Sequence, residues 1–319
     1  MKKIDIFLKK NNYKYNVDYP VSKLTTIGVG GIANYVVYPL NLNELIKIIR
    51  FCINNKIRFE ILGNGSNVLY SDSKFKGIII STIYVTQVYT KNKKIYAMCG
   101  TKLPYLSYYA LQKELSNFET FSLIPGTIGA SICINAGAYG KSIGDVIDEV
   151  VIMDRSGKIK KLKSNEINFS YRNSSLKENK DIVLLARFNT TEKEKCEIRS
   201  TMDLFAKERF ASQPLYEKNF GSIFKNPINY KAYKLIQQAN LEDFNFRNIK
   251  LSKKHLNFLQ ITTNNSAKDI LIFIEKLREK VYNKVGILLD SEVILVNWRR
   301  KYVKRVTKSF KRYRKSCFF

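Results

Sequence analysis

The sequence predicts an α+β protein in two parts. From residue 23 to about 191, short apolar runs bounded by Gly, Asn, Asp and Pro alternate with stretches of helical period. From about 198 the text changes to longer helical stretches closed by one strand-like run, which places a boundary near 190–215. Hydrophobic residues are 45% and aromatic residues 13% of 319 positions, enough to bury more than one core.

In order, "NYVVYPL" (34–40) reads as a strand and "NLNELIKIIRFCINNK" (41–56) as a helix capped by Asn41 or Asn43. "IRFEIL" (57–62), "GIIIST" (77–82) and "KIYAMCG" (94–100) are further strands, and "LPYLSYYALQKEL" (103–115) a helix. Residues 146–162 read as two strands around a turn at Arg155–Gly157, and 181–191 as another strand. Beyond the boundary, a helix stops before Pro214, "KAYKLIQQANL" (231–241) is a second, and the stretch capped by Ser266 and ended by Gly286 is a third. "ILLDSEVILV" (287–296) reads as a closing, buried strand.

The formal charge is +28, from 55 Lys and Arg against 27 Asp and Glu, which favours anionic partners. The same excess also fits a generally Lys-rich, Asn-rich and Ile-rich composition. Five scattered cysteines form no C-x-x-C pair and one histidine, His255, stands alone. These counts disfavour a disulfide framework, a zinc site and a Ser-His-Asp triad. The first residues break every apolar run with Lys or Asn, so no signal peptide is expected, and no apolar run is long enough for a transmembrane helix. A cytoplasmic protein is expected.

"GVGGIA" (28–33) matches G-x-G-x-x-A, yet strand-like text follows it, so it offers no helix N-terminus to a dinucleotide. "ILGNGSNVL" (61–69) is different. Gly63 and Gly65 free the backbone to turn its amides inward, and Ser66 and Asn67 add donors. "PGTIGASICINAGAYG" (125–140) repeats this character, with Gly126, Gly129, Gly137 and Gly140 interleaved with Thr127, Ser131 and Asn135. Either loop alone reads as an ordinary turn. Together they point to one large phosphate-bearing cofactor.

Eight segments carry a resemblance: "TTIGVGG", "LGNGSNVL", "IPGTIGASICINAGAYG", "YRNS", "SQP", "GSIFKNP", "KKHLNF" and "LLDSEV". Their types and order, from about Leu24 to Val296, resemble the UDP-N-acetylenolpyruvoylglucosamine reductase family, in its compact form without an extra substrate-covering loop. The resemblance implies an FAD-binding module of the vanillyl-alcohol-oxidase type, made of two subdomains, and an α+β C-terminal substrate domain. The expected division is an N-terminal segment 1–22, the FAD module 23–195 with its subdomains split near 85–100, the substrate domain 196–298 and a basic tail 299–319.

The activity so implied is NADPH-dependent, FAD-mediated reduction of UDP-N-acetylglucosamine enolpyruvate to UDP-N-acetylmuramate for peptidoglycan, hence cell-wall biogenesis. Hydride comes from flavin N5. Ser222 matches the family's proton donor to substrate, Arg172 its carboxylate-binding arginine and Glu292 its catalytic glutamate. A planar guanidinium suits the two oxygens of an enolate, and a protonated carboxyl could hydrogen-bond the same group. Alone, Ser222 reads as a turn residue, Arg172 as a surface arginine, and Glu292 as a carboxylate needing a partner. Expected cofactor contacts are Gly63, Asn64, Gly65, Ser66, Asn67, Pro125, Gly126, Thr127, Gly129, Ala130, Asn135, Gly137, Ala138, Tyr139 and Gly140. Expected substrate contacts are Tyr171, Lys225, Asn226 and Gln213. His255, with Asn257 and Phe258, is read as structural.

No histidine precedes His255, so noncovalent FAD is expected, with Cys99 and Cys133 the remaining covalent candidates. No metal and no nucleic-acid partner are expected, and the enzyme is expected to be a monomer whose basic tail can contact a membrane peripherally. Gly28, Ser212, Tyr233 and Asn240 depart from the family's usual residues. Two other readings are another flavin oxidoreductase on the same module and a basic nucleic-acid-binding protein.

Overall fold

The computed structural model describes residues 2–261 and 265–307. The chain divides into two compact units. Among the described residues, the first contains 2–19, 33–64 and 76–209; the second contains 20–32, 65–75, 210–261 and 265–307. The tail residues 308–319 lie outside the described residues, and with them most of the expected membrane contact.

The first unit has two cores. One surrounds a four-stranded sheet in the order Lys14–Pro20, Ile32–Tyr38, Phe75–Ser81, Phe59–Leu62, the last two parallel with Phe59 opposite Ile78. Helix Leu42–Asn54 packs on it because Leu45, Ile48, Ile49 and Cys52 recur at helical spacing and are all fully buried. Asn41 is its cap, accepting from the Glu44 N–H at 2.9 Å. The N-terminal segment, given no structure by the sequence reading, folds as helix Lys2–Lys10 and strand Lys14–Pro20 and adds Leu8 and Tyr13 to this core.

The other core lies under an antiparallel five-stranded sheet in the order Ile159–Lys163, Ile147–Met153, Ile182–Phe188, Lys94–Met98, Val88–Lys91. Helices Leu103–Gln112 and Ile128–Cys133 contribute Leu103, Leu106, Ile128 and Ile132 to it. The short helix Ile128–Cys133, inside the glycine-rich stretch, was not foreseen.

The second unit packs helix Ala267–Val285 against Ala232–Gln238 and a three-stranded sheet, Asn245–Phe246, Ile249–Ser252 and His255–Ile261. Ser266 and Asp269 form a capping box at the long helix's start, and Gly286 ends it with φ +75°. Strand Val68–Tyr70 pairs in parallel with Ile294–Val296.

The expected strand 287–296 is corrected here: only Ile294–Val296 is regular strand. The Ser291 hydroxyl accepts the Val293 N–H at 3.2 Å, a local turn that diverts the chain from a continuous ladder. Glu292 is therefore a half-buried residue beside a single bridge, Phe224 to Ser291, and is not set in a buried strand. Among the described residues no helix is long and apolar enough to cross a membrane.

Candidate active site

Within the first unit the two glycine-rich loops meet. Asn64 Nδ2 donates to the Pro125 carbonyl at 2.8 Å. A Cβ on Gly63 would stand 2.2 Å from Thr127 Oγ1 and 3.4 Å from the Ala130 Cβ, so a larger residue there would displace the threonine. Thr127 occupies the N-cap position of helix Ile128–Cys133, yet its hydroxyl makes no cap bond. Its Oγ1 is buried and has no hydrogen-bond partner, as has Thr101 Oγ1. Thr101 is close by, since its carbonyl accepts the Ile128 N–H at 2.8 Å. Gly129 lies against the Cys99 Cβ, 3.0 Å from where its own Cβ would be. Two buried hydroxyls without partners are costly, about 1–3 kcal/mol each, unless a ligand oxygen or a water pairs with them. A close-packed glycine cradle with the orphaned Thr127 hydroxyl at its wall fits an oxygen-rich cofactor such as FAD.

Asn135, also expected at the cofactor, uses both ends of its amide within the protein, donating to Ser170 O and accepting from Gly144 N, each at 3.0 Å. Gly137 and Ala138 form a hairpin with Lys141 and Ser142. Tyr139 and Gly140 are its two turn residues, both with positive φ, as such tight turns demand. The Tyr139 ring stacks on Phe205 with centroids 4.3 Å apart, and its hydroxyl donates to Phe205 O.

A second hairpin, Phe169–Ser170 with Asn173–Ser174, carries Tyr171 and Arg172 as its turn. Arg172 has φ +56°, a conformation uncommon outside glycine that is often retained at functional positions. Its Nη2 donates to the Gly137 carbonyl at 2.9 Å, and its guanidinium lies 5.1 Å from the centroid of the Tyr171 ring. Arg209, which the sequence reading did not single out, is a neighbour. Burial lowers its pKa, the Tyr139 hydroxyl opposes that shift, and the like charge of Arg172 adds to it. Its sequence signal was faint, an arginine four residues before Gln213. Burial pushes the Cys99 and Cys133 thiols up to about 12, so both are protonated at neutral pH and poor nucleophiles.

In the second unit, Gly65 has φ +65° and sits where a Cβ would collide with the Leu24 carbonyl oxygen, so only glycine fits. Asn67 follows, donating through Nδ2 to the Glu292 carbonyl at 3.3 Å and accepting the Ile294 N–H at 3.1 Å. Ser66 lies between them, half-buried. The decoy glycines Gly28–Gly31 precede strand Ile32–Tyr38, in agreement with the rejection of a Rossmann turn.

Ser222 lies in a loop that Asn219 shapes. The Asn219 Nδ2 donates to the Pro214 and Glu217 carbonyls at 2.9 Å, and its Oδ1 accepts the Gly221 N–H at 2.8 Å. Gly221, with φ +81°, then delivers Ser222 half-buried into an irregular segment. Ile223 N–H goes to Asn257 O at 2.8 Å, and Lys225 N–H to Asp290 O at 2.9 Å. On the same flank as Asp290, the Ile223 carbonyl accepts the Glu292 N–H at 2.9 Å. Ser222 and Glu292 thus stand on neighbouring paired segments.

Lys225 makes an ion pair with Asp290, Nζ to Oδ2 3.2 Å. Asn226 Oδ1 accepts the Ala232 N–H at 2.9 Å, supporting the start of helix Ala232–Gln238. Gln213 is half-buried at the end of the preceding helix. His255 accepts the Asn257 N–H through Nδ1 and packs between Tyr233 and Phe258, a structural setting. No cluster of three or more His, Cys, Asp or Glu among the described residues could hold a metal.

Residues 33–163 match a family model described as an FAD binding domain, and residues 213–296 one described as the C-terminal domain of UDP-N-acetylenolpyruvoylglucosamine reductase. The chain is similar to the UDP-N-acetylenolpyruvoylglucosamine reductase of Carboxydothermus hydrogenoformans, 38% identical over 278 residues, covering 86% of this chain and 92% of the relative. The enzyme of that name from Clostridium novyi is 36% identical over 295 residues, 92% of this chain and 95% of its own. In structure it is similar to UDP-N-acetylenolpyruvylglucosamine reductase from Thermus caldophilus, with a TM-score of 0.74 at 26% identity over 89% of this chain and 98% of that one.

Proposed function

The chain belongs to the UDP-N-acetylenolpyruvoylglucosamine reductase family of FAD-dependent oxidoreductases, and from that premise we propose that it reduces UDP-N-acetylglucosamine enolpyruvate to UDP-N-acetylmuramate for peptidoglycan, using NADPH. The observation that carries this reading is the pairing that sets Ser222 beside the Glu292 segment in the second unit. When bound, FAD would supply the hydride chemistry that links NADPH to the alkene of the substrate.

The chain's own residues do the rest. In the first unit, Gly63, Asn64 and Thr127 hold the cofactor, with Thr127 Oγ1 offered to one of its oxygens. Pro125, Gly126, Gly129, Ala130, Asn135, Gly137, Ala138, Tyr139 and Gly140 are further proposed cofactor residues of the first unit, and Gly65, Ser66 and Asn67 are the proposed cofactor residues of the second. Arg172 binds the substrate carboxylate, where a rigid planar fork favours the enolate-like charge that develops on reduction. Ser222 Oγ donates the proton to the carbon bearing the ether oxygen. A serine hydroxyl is a weak acid, so this transfer relies on the strong basicity of that carbon and on exact placement. Glu292 hydrogen-bonds the same carboxylate. Tyr171 and Gln213 line the substrate pocket. Lys225 and Asn226 contact the nucleotide-sugar, with Asp290 holding the Lys225 ammonium in place. We expect FAD to be noncovalent, the protein to act in the cytoplasm, and the monomer to be the working form.

An anaerobic stopped-flow experiment tests this. NADPH should bleach the yellow holoenzyme, and UDP-N-acetylglucosamine enolpyruvate should restore the colour. Ser222→Ala should slow recolouring by about 10²–10⁴-fold with bleaching intact. Bleaching without recolouring in the wild type would instead indicate a flavin oxidoreductase for another substrate.

A further inference from the structure

We propose that Asn257 is a positioning residue for proton transfer, its carboxamide fixing the peptide units that follow Ser222 and, through them, that of Glu292. This rests on the roles given above to Ser222 and Glu292.

Asn257 is 3% exposed and lies in strand His255–Ile261. One edge of that strand pairs with Ile249–Ser252. Along the other edge runs the irregular segment after Ser222, which belongs to no regular strand. There the Asn257 side chain acts as a missing length of backbone. Its Oδ1 accepts the Phe224 N–H at 3.0 Å, and its Nδ2 donates to the Phe224 carbonyl at 2.8 Å. Its own carbonyl accepts the Ile223 N–H at 2.8 Å. Three bonds from one residue therefore fix Ile223 and Phe224. On the opposite side, Ile223 O takes the Glu292 N–H and Lys225 N–H goes to Asp290 O. A shift of Ile223 and Phe224 would move the Ser222 hydroxyl and the Glu292 backbone together.

The chemistry of the contact is specific to asparagine. It needs one donor and one acceptor side by side at this reach. Aspartate would face a carbonyl oxygen with a second acceptor, and leucine would orphan both main-chain groups. Both ends of the Asn257 amide are taken by Phe224, so its influence runs through Ser222 and Glu292. Misplacement of a reacting group by about 1 Å can slow a step by about 10²-fold.

The test compares FAD-loaded wild type, Asn257→Asp, Asn257→Ser and Ser222→Ala in anaerobic single turnovers. The serine variant, smaller and with room for a bridging water, serves if the aspartate variant does not fold. Bleaching by NADPH should proceed within about 2-fold of wild type. Recolouring at saturating UDP-N-acetylglucosamine enolpyruvate should slow by about 10²-fold, with the substrate concentration at half-maximal rate little changed. Rate constants are read per folded, flavin-loaded molecule, so mere destabilisation leaves them alone. Equal slowing of both half-reactions, a change confined to substrate affinity, or wild-type recolouring in the Asn257 variants while Ser222→Ala is slow would each overturn the proposal. Wild-type recolouring in Ser222→Ala would overturn the role of Ser222 itself, whatever the Asn257 variants do.

Discussion

The Glu292 N–H donates to the carbonyl oxygen of Ile223 at 2.9 Å. That single bond ties the glutamate to the residue after Ser222, so the carboxyl and the hydroxyl are positioned by one rung. The bond is made by backbone, so replacing the Glu292 side chain leaves the rung in place. Glu292→Gln should keep NADPH-driven bleaching and slow substrate-driven recolouring by about 10–10²-fold, measured in single turnovers.

The orphaned Thr127 hydroxyl gives a prediction on cofactor affinity. Thr127→Val keeps the shape and removes the group. If that hydroxyl meets an FAD oxygen, the dissociation constant should rise by about 10-fold, equivalent to about 1.4 kcal/mol, in a flavin fluorescence titration. Gly63→Ala should be worse, since the added Cβ would lie 2.2 Å from Thr127 Oγ1. That variant should purify with little flavin.

Arg278 is almost wholly buried at 1% exposure. Its guanidinium donates to three main-chain carbonyls: Leu289 at 2.5 Å, and Arg305 and Thr307 at 3.0 Å. The Ser291 N–H meets the Val306 carbonyl between them. Arg278→Met would fill the volume and leave those carbonyls without their donor. A loss of at least about 3 kcal/mol is expected in urea unfolding followed by fluorescence, larger than for removal of any surface charge.

His255 makes stability depend on pH. Burial lowers its pKa below the usual 6.5. The unfolded chain titrates at about the ordinary value, so between the two pKa values it binds more protons than the folded chain. This contribution to stability is complete above pH 6.5 and is lost as pH falls through the folded pKa. The fall in urea midpoint between pH 8 and pH 5 should be smaller in His255→Gln than in the wild type.

Much of the fold was legible because its elements obey local rules. Asn41, Ser266 and Gly286 mark helix ends through their own side-chain or backbone chemistry, and the buried face of Leu42–Asn54 is a plain 3.6-residue period. What escaped the sequence depends on distant partners. Strand Lys14–Pro20 alternates Tyr15, Val17 and Tyr19 with Lys14, Asn16 and Asp18, a weak local signal, and sheet pairing gives it order. Glu292 looked like part of a buried strand because its neighbours Leu289 and Val293 are buried, but the Ser291 hydroxyl turn breaks the ladder. At the candidate site, the glycines were conspicuous because their backbone needs exclude other residues. The couplings of Thr127 to Gly63 and of Asn257 to Phe224 join residues 64 and 33 positions apart, a relation no local pattern encodes.

The pairing of Val68–Tyr70 with Ile294–Val296 bears on how the protein is made. The two strands are 226 residues apart in the chain. At ribosomal rates of about 5–20 residues per second, the earlier strand waits about 10–50 s for its partner to be synthesised. During that interval the nascent chain carries a short apolar edge with nothing beside it. Ser71, Asp72 and Ser73 follow that edge directly, and this polar run discourages its pairing with a neighbouring nascent chain.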